Sequence, residues 1–266
     1  IVNGTSTLTS GGKTLTCGMN IAGGVTTFTL GDNWTVNGVL TFTSNNATTL
    51  NGNQITCAGG LNSTGLSTTP TGTTRLVLTG GTWSMTAGNG FRFAIDLAGN
   101  VTVSGAVTFG TSGTLRYLSG TITTTGSSLS LTGSCTMDTS TVVWNNITVN
   151  GSSNTLTLSS NMAWSGTLTL TNSMTYTGAG TMSGTGFVTP SGANTSTLNN
   201  TGGIVTTGTM TLPNTAYTFA GSAGFTVGTL TTATLTSSRT YTLTFGNTYT
   251  VTTLFTNVGA TAAIVQ

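Results

Sequence analysis

Histidine and glutamate are missing from all 266 residues, and only eight side chains carry a formal charge: Lys13, Arg75, Arg92, Arg116, Arg239, Asp32, Asp96 and Asp138. Without histidine, no side chain has an ordinary pKa near neutrality, so the usual general base and every histidine-based triad are excluded. The three aspartates stand far from one another along the chain. In a coiled architecture their spacing amounts to about 10–15 Å between neighbours, beyond the roughly 5–9.5 Å over which two carboxyls share glycoside hydrolysis. A turn or surface role is the expectation for each, GDN at 31–33 being a turn sequence.

Other absences narrow the field further. A net charge of +2 from dispersed cations leaves no footprint for nucleic acid. No apolar run approaches the about 18 residues needed to span a bilayer, so membrane insertion is not expected. Cys17, Cys57 and Cys135 form no metal-binding spacing, and their odd number argues against a disulfide framework. Each lies in a strand-like context and reads as a buried small hydrophobe, with Cys17 and Cys57 two coils apart and beyond disulfide reach. Glycine-rich strings such as TGAGTMSGTG lack the phosphate-loop lysine and a following helix. No cofactor is implied. The chain starts at Ile1 without a signal-like segment, and the expectation is a processed part or ordered fragment of a longer chain.

What fills the sequence instead is Thr, Ser, Gly and Asn, which together make up well over half of it. Disorder would require few β-branched and aromatic residues, yet Val, Ile, Leu, Phe, Tyr and Trp recur every few positions between threonines, which themselves favour a pleated surface. Alternation appears in TFTL (27–30), RLVLT (75–79), SLSLT (128–132), TLTLT (167–171) and TYTLTF (240–245). Each run is short and ends at Gly, Asn or Ser. Helical periodicity is missing. Pro70, Pro190 and Pro213 are read as loop residues.

Similar corners recur at Thr35–Gly38, Thr102–Gly105 and Thr148–Gly151, at separations that fit multiples of about 22 residues. These features predict an all-β fold, a parallel β-helix or β-solenoid with coils of about 20–23 residues, as one domain over 1–266; a β-sandwich is the alternative. Stacked coils place like residue on like, which penalises charge and rewards Thr, Ser and Asn ladders. The stretch 166–186 is then one coil. Uncapped terminal coils expose unpaired edges, so a homo-oligomer is expected, a homotrimer among the options.

Candidate binding residues are few. Arg92, flanked by Phe91 and Phe93, is placed facing outward, and Arg116 beside Tyr117 is a second candidate for contact with glycans or a receptor. Trp34, Trp83, Trp144 and Trp164 read as core, with sugar stacking as the alternative. Nine N-x-S/T sequons occur, at Asn3, Asn33, Asn46, Asn62, Asn100, Asn146, Asn150, Asn194 and Asn199, no more than this composition gives by chance.

Segments such as VVWNNITVNGSSNTLTLSSNMAWSGTLTLTNS (142–173) and SSRTYTLTFGNTYTVTTLFTNVG (237–259) resemble Thr/Gly-rich parallel β-helix proteins of tailed-bacteriophage virions, of the tail fibre, spike or appendage type. That resemblance implies a non-enzymatic structural component, in a virion or extracellular, with other virion proteins and host-surface glycans as partners. A bacterial extracellular adhesin or filament subunit is the second reading; ice binding and glycan depolymerisation are the third and fourth.

Overall fold

The structure, a computed structural model, describes residues 6–21, 27–43, 47–49, 52–63, 75–85, 94–110, 112–244, 246–259 and 262–265. The chain is an all-β parallel β-solenoid. Every described strand pairing is parallel, which removes the antiparallel β-sandwich. No helix occurs among the described residues, so none is long and apolar enough to cross a membrane. The chain forms two compact units, Ile1–Cys135 and Thr136–Gln266.

In the first unit, successive coils repeat with small changes in length. Thr14 pairs with Thr35 and Thr35 with Thr56, at equal spacing. The step from Asp96 to its partner Arg116 is one position shorter, and that from Leu61 to Trp83 one position longer. Alternation sends every second side chain inward. One interior column runs Trp34, Ile55, Leu76, Ile95 and Leu115, and its neighbour Val36, Cys57, Leu78 and Leu97, all buried. A third runs Met19, Leu40, Leu61, Trp83 and Val103. Each such apolar side chain withdrawn from water contributes about 1.5–3 kcal/mol.

The second unit repeats the scheme. Ile147, Leu168, Val188, Met210 and Leu230 form one buried column, and Met162, Met182, Ile204 and Phe225 another. Thr167 pairs with Phe187, so 166–186 does make one coil. Later coils lengthen, as Phe225 pairing with Tyr249 and Leu230 with Phe255 show.

Polar side chains stitch the coils where the backbone ladder is interrupted at corners. Asparagine Oδ1 atoms accept a backbone N–H one coil on: Asn33 from Gln54, Asn100 from Thr121, Asn146 from Thr167 and Asn161 from Thr181. Threonine hydroxyls donate back to the preceding coil, as from Thr171 to the Val149 carbonyl at 2.9 Å and from Thr206 to Gly186 at 2.7 Å. Buried backbone groups must find partners. A sequence rich in Asn and Thr supplies them without charge.

Three sequence-based readings need correction. Cys17 is exposed, whereas Cys57 and Cys135 are buried. Leu15, not Cys17, pairs with Val36 on the way to the Cys57 column, and Cys17 lies past the strand end at a corner. Pro190 lies inside the strand Phe187–Ser191 and faces the core, paired with Leu170. On its other side the pairing with Ile204–Leu212 is confined to Val188 and Met210, and Pro190 has no N–H to give there. The corners Thr35–Gly38 and Thr102–Gly105 are not equivalent. Thr35 stacks with Thr14 and Thr56, Thr102 with Thr82 and Thr123. Pro70 lies outside the described residues.

Candidate functional site

The strands Arg75–Met85, Ala94–Ser104 and Thr114–Ser119 lie side by side in the first unit. Ile95 and Leu97 face inward, so Asp96 between them faces outward. Its outward column reads Thr56, Val77, Asp96, Arg116. Arg116 is thus directly in register with Asp96, while Arg75, paired with Ala94, reaches over diagonally. Nη1 of Arg75 donates to both carboxylate oxygens, at 2.9 and 3.0 Å. Nε and Nη2 of Arg116 donate to Oδ1 and Oδ2 at 3.0 and 2.7 Å, a two-pronged fork. The result is a carboxylate only 2% exposed under two guanidinium groups, 34% and 32% exposed.

Three of the charged side chains therefore meet at one place on three consecutive coils. Stacking in register would set like charges against each other, and the alternation of sign avoids this. Chemically, both oxygens of Asp96 are occupied by guanidinium N–H groups, which leaves them poorly placed to take a proton from a substrate.

The other carboxylates are dispersed. Asp32 sits at a turn, as GDN suggests. It accepts the backbone N–H of Ser10 at 2.8 Å, the Ser10 hydroxyl at 3.0 Å and the Gly12 N–H at 3.4 Å. These bonds, that from the Ser10 backbone foremost, hold its carboxyl below the ordinary range. Its coil lies three steps from that of Asp96 through the pairings Trp34–Ile55–Leu76–Ile95, or about 14 Å along the stack. Asp138 is half-buried in the strand Cys135–Asp138. Burial pushes the Cys57 thiol up and that of Cys135 up to about 12, so neither is poised as a nucleophile.

Of the candidate contact residues, Arg92 lies outside the described residues. Arg116 is committed to Asp96. Tyr117, its neighbour in a strand, points the opposite way, following Leu97 in register, and its hydroxyl donates to the Gly120 carbonyl at 2.9 Å. Arg116 and Tyr117 therefore do not make one surface. Sequence reasoning does not single out Arg75, although Arg75, Asp96 and Arg116 follow one another at close to one coil each.

All four tryptophans are buried and belong to the core, as expected. Among the described residues of the second unit, the exposed large aromatics are Phe187, 57% exposed at the head of its strand, and Phe255, 48% exposed near the end of the chain. The same unit carries an open groove of about 320 Å3 over corner residues that include Thr201, Ser222, Gly246, Asn247 and Thr248. Its Asn247 amide is spent on the Gly221 and Ala223 carbonyls, at 2.9 and 3.1 Å.

No protein family model matches the chain, and neither a curated protein nor a solved structure shows significant similarity to it.

Proposed function

We propose that this protein is a non-enzymatic structural component of a virion, in a fibre, spike or capsid decoration, and that it contributes to attachment at a host surface. The observation that carries the reading is the fate of the charged side chains. Asp96 is pinned between Arg75 and Arg116, and Asp32 closes a turn. Chemistry-bearing residues are thus used to hold successive coils together. Asn and Thr do the same work without charge, which suits a body that must persist outside cells and resist changes in salt and pH. The homo-oligomer expected from sequence, the homotrimer included, belongs to this proposal, as does a virion or extracellular location.

Immunogold electron microscopy of the native source tests it. Label on symmetric spikes, fibres or capsid decorations is the expected outcome. Label along cell-attached filaments with no capsid would replace it with the extracellular adhesin or filament reading.

A further inference from the structure

We infer that the face of the second unit centred on Phe187 binds neutral polysaccharide; the inference rests on the attachment reading above and gives it a ligand class. Phe187 is the most exposed of the large hydrophobic side chains in the described residues, at 57%. Its backbone is fixed on both sides. The Phe187 N–H donates to the Gly166 carbonyl at 2.7 Å, and its own carbonyl accepts Nε1 of the buried Trp164 at 3.2 Å. Preceding it, Gly186 has no room for a Cβ, which would run into the carbonyl of Gly166. The ring is therefore presented from a rigid strand, so little ordering entropy is lost when a ligand covers it.

Around the ring lies a field of hydroxyls. Phe187 stacks on Thr167 in register, and Thr209 is its counterpart on the next coil, immediately before the Val188–Met210 pair. The adjoining outward rank holds Thr148, Thr169 and Thr189. Side-chain hydroxyls of Thr167, Thr169, Thr189 and Thr209 make no hydrogen bond to protein among the described residues, and all four residues are half-buried. An apolar ring face bordered by free hydroxyls about 4.8 Å away on either side matches a hexopyranose, which has one C–H face and a rim of hydroxyls.

Charge decides which saccharide. Residues 139 to 238 contain no formal charge, and the cations of the first unit's cluster are tied to Asp96. An acidic polymer would lose its hydration on this face and meet no counter-charge. A neutral one loses less and binds without dependence on salt.

Affinity electrophoresis of the full chain in native gels cast with dextran, mannan or galactan, with alginate as the acidic control, tests the inference. Retardation by at least one neutral polymer is expected, equal at low and high salt. Phe187→Ala should weaken it at least tenfold and Phe187→Tyr should preserve it, both variants keeping the wild-type far-UV circular dichroism. Three results would overturn the inference: no retardation in any neutral gel, equal retardation of Phe187→Ala, or a Phe187→Ala change in sedimentation showing that the ring packs against a second copy. Microscopy separates the two readings. Label on a virion with no polysaccharide binding defeats the ligand class alone, whereas binding by a protein found on a cell filament defeats the virion reading alone.

Discussion

Asp96 is the residue whose removal should be felt most. Among the described residues it alone neutralises Arg75 and Arg116, and losing it leaves two guanidinium groups on either side of the coil that carried it, with no carboxylate between them. Asp96→Ala is expected to lower stability by about 2 kcal/mol, read as a shift in the urea midpoint at unchanged slope. The figure sits below that for a fully buried pair because water reaches both arginines. Arg116→Gln should cost less, since Arg75 still covers the carboxylate. The same scale explains the abundance of asparagine: Asn33, Asn100, Asn146 and Asn199 fall in sequons, yet each accepts a backbone N–H from the next coil. Their frequency follows from corner geometry and needs no glycan.

At the level of strands and corners, close stacking is set by glycine. A Cβ on Gly59 would collide with the backbone of Gly38, and one on Gly81 with that of Gly59, so one corner of the first unit is a column in which backbones meet directly. Gly59→Ala should therefore cost on the order of 1–3 kcal/mol, with local loss of hydrogen-exchange protection in Gln54–Cys57 and Gly60–Ser63; full retention of protection would count against the close-packed corner. Strand identity is legible in the alternation of TLTLT and SLSLT, because inward and outward positions demand different chemistry. Corner equivalence is not. Thr35–Gly38 and Thr102–Gly105 look alike yet occupy different columns, so the coil length is right although these corners are not repeats of one another. A turn needs Gly or Asn wherever it falls, and the local sequence does not say which side of the coil it closes. Cys17 misleads for a related reason: LTC looks like ITC, but its strand stops at Leu15.

For the molecule as a whole, alkali is the condition that should find its weakness. Burial pushes the Tyr217 hydroxyl up from about 10 to about 12, a Ser196 hydrogen bond opposing the shift, and burial pushes Tyr176 up as well. The sign follows from linkage: the unfolded chain releases these protons near pH 10 and the folded one does not, so stability present below pH 10 is lost as pH rises toward 12. Tyr217 alone represents on the order of 2 kcal/mol. Tyrosinate absorbance and loss of β-sheet circular dichroism should rise together above pH 10, and Tyr217→Phe should move that transition upward. Titration of all tyrosines without unfolding would contradict the burial. Because nearly every pairing joins positions a full coil apart, folding is expected to be slow for the size of the protein.

The sequence by itself determined that the chain is all-β, that its coils are about 20–23 residues long, and that its surface is nearly free of charge. Alternation, turn residues and composition act locally, and stacking identical rungs turns those local preferences into one architecture. Only the tertiary structure decided the rest. It showed that Arg75, Asp96 and Arg116 meet, that Arg116 and Tyr117 face opposite ways, and that Phe187 stands in the open while four tryptophans are enclosed. Those facts depend on register between coils: corners absorb changes in coil length while the interior columns stay aligned, whereas a one-residue slip in strand pairing would reverse which side chains point outward.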